Sequence, residues 1–216
     1  MLNLKWSESD DGLNILCLGA HCDDIEIGCG GTVLKLIEEQ KISQITWIIF
    51  TSNEKRKQEA HSSAEEFLKN IDNKDIKILD YKDGYLPSLW SEVKNTFESI
   101  KQEVNPDIIF THYRNDLHQD HRVVSELTWN TFRNHIIFEY EITKYDGDLG
   151  SPNVFTPLDQ AIINRKGEIL MRSFQSQKNK HWFDKSTIKA VMRIRGVECA
   201  SPSHYAEAFY CRKMIM

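Results

Sequence analysis

Several common devices are missing from this chain of 216 residues. No apolar stretch approaches the roughly 20 residues needed to cross a bilayer. The N-terminus, MLNLKWSESDDG, lacks the long apolar segment of a signal peptide. The expectation is a cytoplasmic protein with no membrane partner. The five cysteines (Cys17, Cys22, Cys29, Cys199 and Cys211) are odd in number and form no C-x-x-C pair. That suits a reducing compartment and argues against a disulfide framework. A basic excess is missing too. The net charge of −5 argues against a nucleic-acid partner. Repeats, low-complexity tracts and clear linkers are absent. The chain, 1–216, therefore reads as one domain of ordinary size with a substantial core. The part from about residue 150 onward is expected to pack on that same core.

What is present is an alternation. Asn14–Ala20, Gln44–Ser52, Asp75–Tyr81, Asp107–Tyr113 and His135–Ile142 are short apolar runs rich in β-branched and aromatic residues. They read as strands. Between them lie amphipathic segments of helical length. Thr32–Glu39 groups Val33, Leu36 and Ile37; Arg56–Ile71 groups Ala60, Ala64, Phe67, Leu68 and Ile71; Leu89–Val104 groups Val93, Phe97 and Ile100. Strands alternating with helices predict an α/β fold: a mostly parallel sheet of Rossmann-like βαβ units, with helices on both faces. The turn-forming stretch Asp146–Pro157 reads as a loop.

In such sheets ligands bind at the carboxyl ends of the strands. Two clusters fall there. After the first strand comes A-H-C-D-D-I-E-I-G-C-G-G, with His21, Asp23 and Asp24. After the fourth come His112, Asp116, His118, Asp120 and His121. Two histidines and a carboxylate, with one position left for water, describe a catalytic zinc site. A divalent cation also explains why a chain would place adjacent aspartates where a buried strand hands over to a helix. Each element has a plainer reading. An Asp-Asp pair alone is most often a solvated turn. A histidine at a strand end is most often a hydrogen-bonded structural residue, and this is the reading given to His112. Gly28, Gly30 and Gly31 can simply permit close packing. The coincidence of both clusters at one sheet edge outweighs the plain readings. Asp116 is expected to shape the loop before His118. Glu26 is expected to be a buried partner of a backbone amide or an arginine.

These residues resemble the LmbE/PIG-L family of metal-dependent N-deacetylases, which carries A-H-P-D-D-x-E-x-G-x-G-G and a later H-x-D-H. Further likenesses are R-K-Q-E-A (Arg56–Ala60), D-G-Y-L (Asp83–Leu86), S-Q (Ser176, Gln177), R-G (Arg195, Gly196) and Y-A-E-A-F (Tyr205–Phe209). The resemblance implies that His21, Asp24 and His121 are metal ligands for Zn2+, with Fe2+ also suited to such donors. It implies Asp23 as general base and His118 as oxyanion stabiliser or acid. Asp120 would orient His118 or a ligand. Arg56 is implied as a substrate contact. Tyr85, an aromatic after a strand end, is a second candidate. The implied reaction is hydrolysis of an N-acyl, foremost N-acetyl, amide on an amino sugar, sugar conjugate or nucleotide sugar, by water that the metal activates. Whether Asp23 or His118 protonates the leaving amine stays open. The expected partner is thus a small N-acylated molecule, and a homo-oligomer is compatible with the sequence.

One departure is Cys22, where the family has proline. The plain reading is a small side chain that fits; the other places a thiol on the metal. Three alternatives to the deacetylase are carried: an amidase on a thiol conjugate or antibiotic precursor, a non-catalytic metal scaffold, and a nucleotide-binding module. The last is disfavoured because G-x-G-x-x-G does not follow the first strand directly. Paired aspartates would also repel phosphate there.

Overall fold

The computed structural model describes residues 11–215, so the first ten residues weighed above for a signal peptide lie outside it. The elements run β1 (Leu13–Gly19), α1 (Asp24–Glu39), β2 (Ile42–Thr51), α2 (Glu54–Phe67), β3 (Lys74–Tyr81), α3 (Trp90–Glu103), β4 (Ile108–His112), α4 (Gln119–Thr131), β5 (Ile136–Tyr140), β6 (Val154–Pro157), α5 (Gln160–Ser173), α6 (Lys185–Glu198) and β7 (Ala206–Cys211). They form one sheet of seven strands in the order β3-β2-β1-β4-β5-β7-β6. The first five pair in parallel, with Ile15 opposite Ile45 on one side and Ile108 on the other. The last two pair antiparallel. The expected α/β architecture, a mostly parallel sheet with helices on both faces, is what the chain adopts.

Alternation along β1 builds both cores. Ile15 and Cys17 face α1, α2, α5 and α6, where Val33, Ala60, Phe67, Ile163 and Met192 complete one layer. Leu16 and Leu18 face α3 and α4, meeting Val93, Phe97, Val124 and Leu127. Every apolar residue named for the three expected helices is buried except Ile37, which is partly so.

The sheet order reverses between β1 and β4. Chain growth from β1 runs outward through β2 and β3, then returns to place β4 on the other flank. The loops leaving β1 and β4 therefore part to opposite faces and open a crevice at their carboxyl ends. Both sequence clusters leave from these two strands.

Several elements were not foreseen. Helix α1 starts at Asp24, a full two turns before the expected Thr32. Its front half carries Gly28, Gly30 and Gly31, which mask the helical pattern. Their absent side chains are used. A Cβ at Gly28 would lie 2.2 Å from the Tyr140 ring, and one at Gly31 would lie 2.8 Å from Glu207 Oε1. Strand β6 falls inside the segment read as a loop, and α5, α6 and β7 lie beyond it.

Candidate functional site

Helix α1 begins where β1 ends, so His21 to Asp24 make the turn between them. The Ala20 carbonyl is held by the Thr51 amide (2.9 Å) and hydroxyl (2.7 Å). The Asp24 carboxylate reaches back to the His21 amide, Oδ2 accepting at 2.6 Å. On the other side of the crevice, His118 sits at the N-cap of α4. Its Nδ1 accepts from the Asp120 amide at 3.3 Å, supplying the cap that the helix end requires. His121 follows in the first turn, buried.

These two helix starts bring three donor atoms together. His21 Nδ1 and His121 Nε2 are 3.1 Å apart, His21 Nδ1 and Asp24 Oδ2 3.3 Å, and His121 Nε2 and Asp24 Oδ2 3.5 Å. The edge of a tetrahedron with metal–ligand bonds of 2.0–2.1 Å is about 3.3 Å. The triangle therefore fits a small divalent cation. Other donor threesomes stand close by: His21, His118 and His121; Asp24, His112 and His121; His21, Asp83 and Asp120. A hydrogen bond engages one member of each, as the His21 amide engages Asp24 in the first triangle. His118 Nδ1 is taken by the Asp120 amide, and His112 Nε2 accepts from the Ala20 amide at 2.9 Å. The Asp120 oxygens accept from Gly84 (2.6 Å) and Leu86 (3.1 Å) amides.

The outer groups match what a metal-binding histidine needs on its far nitrogen. His21 Nε2 lies 3.2 Å from Asp120 Oδ2 and 3.1 Å from Asp83 Oδ1. His121 Nδ1 faces Asp116 Oδ2 at 3.0 Å. Burial works to lower the His21 pKa, but Asp24, Asp120 and Asp83 outweigh it and raise it well above the ordinary value. The pocket thus has room for a positive charge. His121 goes the other way, pushed down to about 3 by burial and by His112, so it stays neutral with a lone pair to offer.

Asp23 lies beside this triangle. Arg56, at the start of α2, holds its Oδ1 at 3.0 Å, while Oδ2 is buried with no hydrogen-bond partner. Burial pushes the Asp23 carboxyl up to about 6, against the pull of Arg56. His118 is held below its ordinary value by burial and then by His21.

Each expected site residue can now be placed. His21, Asp24 and His121 converge, with Asp23 and His118 alongside. Asp120 serves His21, and its link to His118 runs the other way, amide to ring. Arg56 stands against Asp23 and over the Phe174 ring, 5.6 Å from its centroid. Tyr85 is 50% exposed on the loop that Asp120 anchors, with Lys82 Nζ 3.7 Å over its ring. The Cys22 thiol donates to the Thr51 carbonyl (3.3 Å), and burial pushes it up to about 12. It belongs to none of the donor groups found among the described residues. Two outer carboxylates complete the comparison. Glu26 is buried with no arginine against it; burial pushes its carboxyl up to about 8, against the pull of Ser63 and of its own backbone amide. Asp116 does tie the His118 amide (2.8 Å), but its second oxygen faces His121. That role was missed. Its signal was a carboxylate five residues ahead of a histidine, a spacing with no local periodicity to mark it.

A doubly wound α/β protein with a His-Asp-His donor centre at its switch point is the class that fold and site define. Residues 16–132, more than half the chain, match the family model described as PIG-L, GlcNAc-PI de-N-acetylase. The chain belongs to this PIG-L family. Solved structures of similar shape include N,N'-diacetylchitobiose deacetylase from Pyrococcus horikoshii, at 20% identity over 93% of this chain and 84% of that one, TM-score 0.69. The zinc-inhibited form of teicoplanin deacetylase Orf2 matches at 12% identity over 92% and 97%, TM-score 0.72. GalB, the 4-carboxy-2-hydroxymuconate hydratase from Pseudomonas putida KT2440, matches at 13% identity over 94% and 98%, TM-score 0.69. At such identities these likenesses concern the fold alone. Among the described residues no helix is long and apolar enough to cross a membrane.

Proposed function

We propose that this protein is a metal-dependent N-deacetylase acting on an amino sugar, a sugar conjugate or a nucleotide sugar. The observation that carries the reading is the triangle of His21 Nδ1, Asp24 Oδ2 and His121 Nε2, with the unpartnered Asp23 Oδ2 next to it. Family membership supports the reaction class, and two of the similar folds described above are those of deacetylases. The third is a hydratase, so fold similarity cannot select the reaction.

His21, Asp24 and His121 would hold the ion, zinc or ferrous iron. When bound there, such an ion polarises a carbonyl oxygen and lowers the pKa of a coordinated water to about 7. Asp23 accepts the water's proton on Oδ2, while Arg56 fixes the carboxylate by Oδ1. Because the Asp120 amide occupies His118 Nδ1, the neutral imidazole carries its proton on Nε2. It donates that N–H to the amide oxygen as negative charge grows there. His118 need not ionise to do so. The proton for the leaving amine then comes from Asp23, which has just received one. Asp120 holds His21 in register and ties down the loop bearing Gly84 and Tyr85.

The test combines elemental analysis with acetate release from N-acetylated sugars and nucleotide sugars. Protein purified without added metal should contain zinc or iron at one equivalent. Asp23→Asn should keep the metal and lose turnover by about 10²–10⁴-fold. Full turnover in that variant would remove Asp23 from the mechanism. A metal-loaded protein that releases acetate from no N-acetylated sugar would refute the substrate class.

A further inference from the structure

His112 is the last residue of β4 and fully buried. Its ring touches two corners of the donor triangle, Asp24 and His121, and the backbone just ahead of the third. Nε2 accepts from the Ala20 amide at 2.9 Å, fixing the backbone just ahead of His21. The same nitrogen lies 3.2 Å from Asp24 Oδ2. The ring stacks on that of His121, centroids 3.9 Å apart and planes 17° from parallel. Behind it stands Tyr140, whose hydroxyl donates to the Leu18 carbonyl at 2.6 Å and lies 3.4 Å from His112 Nε2. Gly28 leaves the space that Tyr140 fills.

A lone pair that accepts from Ala20 puts the ring's proton on Nδ1. That atom is buried with no hydrogen-bond partner. A buried orphan donor is costly and calls for a reason. A phenylalanine would fill the space, keep the stack and bury no polar atom. The feature that only histidine supplies here is the Nε2 acceptor, engaged by the Ala20 amide.

We propose that His112 is a positioning residue for the candidate metal ligands: its Nε2 pins the Ala20–His21 backbone while its ring backs His121, setting the spacing of the donor triangle. This rests on the ligand assignment made above. Outer groups that orient metal ligands are typically worth about 10–100-fold in metal affinity. Zinc is the probe. The full-length protein is stripped with a chelator, and the zinc dissociation constant is read by competition with a chromophoric chelator. Thermal midpoints are recorded with and without zinc.

His112→Phe keeps volume and stack and removes the acceptor. It should raise the zinc dissociation constant about 10–100-fold and narrow the gap between zinc-loaded and zinc-free midpoints. His112→Gln places an amide oxygen near the position of Nε2 and should recover most of that loss. Wild-type zinc affinity in His112→Phe, with only a lower zinc-free midpoint, would overturn the proposal. Equal losses in the two variants would overturn it as well. If neither variant folds, nitrogen NMR of the wild-type ring decides. The Nδ1–H tautomer should be present with and without zinc, and an Nε2–H tautomer overturns the proposal. His121→Ala serves as the control on the underlying assignment. Zinc bound as tightly in that variant as in wild type would refute the ligand set itself, an outcome distinct from any result at position 112.

Discussion

At the scale of single residues, His118 separates two jobs that one side chain performs. Nδ1 caps α4, and in the proposed mechanism Nε2 donates to the amide oxygen. Asparagine is a good N-cap and has no donor at the Nε2 position. His118→Asn should therefore keep stability within a few tenths of a kcal/mol of wild type. It should lose about 10²–10³ in turnover, the typical worth of one oxyanion donor. His118→Ala should lose as much turnover and, in addition, about 1 kcal/mol of stability. Acetate release and urea denaturation on the same two variants read both. Asp184 caps α6 in the same manner, accepting from the Ser186 (2.7 Å) and Thr187 (3.0 Å) amides; the Ser186 and Thr187 hydroxyls foremost, and then these amides, lower its pKa. A depressed carboxyl stabilises above its unfolded pKa of about 3.9 and loses that contribution as pH falls through the lower folded value. Asp184→Ala should thus cost about 1 kcal/mol at pH 7. The gap to wild type should close as pH drops below about 4, as read by urea denaturation along a pH series.

The residues of the donor triangle were legible in the sequence because each cluster is compact, three or four positions long, and each follows an apolar run that announces a strand. Asp116 and His112 were harder. Their roles come from where β4 and the loop after it lie against α1 and α4, and no spacing along the chain records that. Asp120 was half legible. Its adjacency to His121 marked it as an outer partner, but the ring it serves lies ninety-nine residues away.

At the scale of elements, the motifs that looked like separate landmarks turn out to meet. Glu59 of the R-K-Q-E-A stretch accepts from the Ser176 amide (2.8 Å) and hydroxyl (2.5 Å). Glu207 of Y-A-E-A-F receives the Gly31 (2.8 Å) and Thr32 (2.6 Å) amides, in the middle of α1. Lys166 completes the set, donating to Glu207 at 2.6 Å and to the Ile27 carbonyl at 2.6 Å. That carbonyl is the one the Gly31 amide would take in an uninterrupted helix. A buried ion pair thus grips α1 at its glycine-rich turn. The helix was only half visible in sequence for this reason: its front half is held by groups from α5 and β7 more than by its own propensity. Removing one partner of such a pair leaves a charge stranded. Lys166→Met should destabilise by about 3–5 kcal/mol in urea denaturation. Gly31→Ala should be destabilising too, because its Cβ would lie 2.6 Å from Leu158 as well as against Glu207. The C-terminal helices and β7 were not read from the sequence because their apolar positions are interleaved with lysine and arginine, and the strands are short.

At the scale of the whole molecule, the candidate centre bridges two elements that leave the sheet from different strands. An ion held by His21, Asp24 and His121 would bind only the folded chain. Zinc at 100 times its dissociation constant should therefore add about 2.7 kcal/mol to the unfolding free energy. Calorimetry with and without zinc measures this. Both histidines must be deprotonated to serve as ligands, so zinc affinity should fall in acid. Occupancy that holds steady well below the unperturbed histidine pKa of about 6.5, at limiting zinc, would contradict the assignment.

The grip of Glu207 on α1 spans 176 positions of the chain. During synthesis the triangle's donors and the first five strands leave the ribosome long before β7 does. A nascent polypeptide paused at that stage lacks the Glu207 carboxylate that receives two amides of α1 and has an open flank along β5. Maturation of the centre is therefore gated by the final strand. Stalled or prematurely terminated products should be sensitive to protease and inactive, even though they carry every proposed ligand.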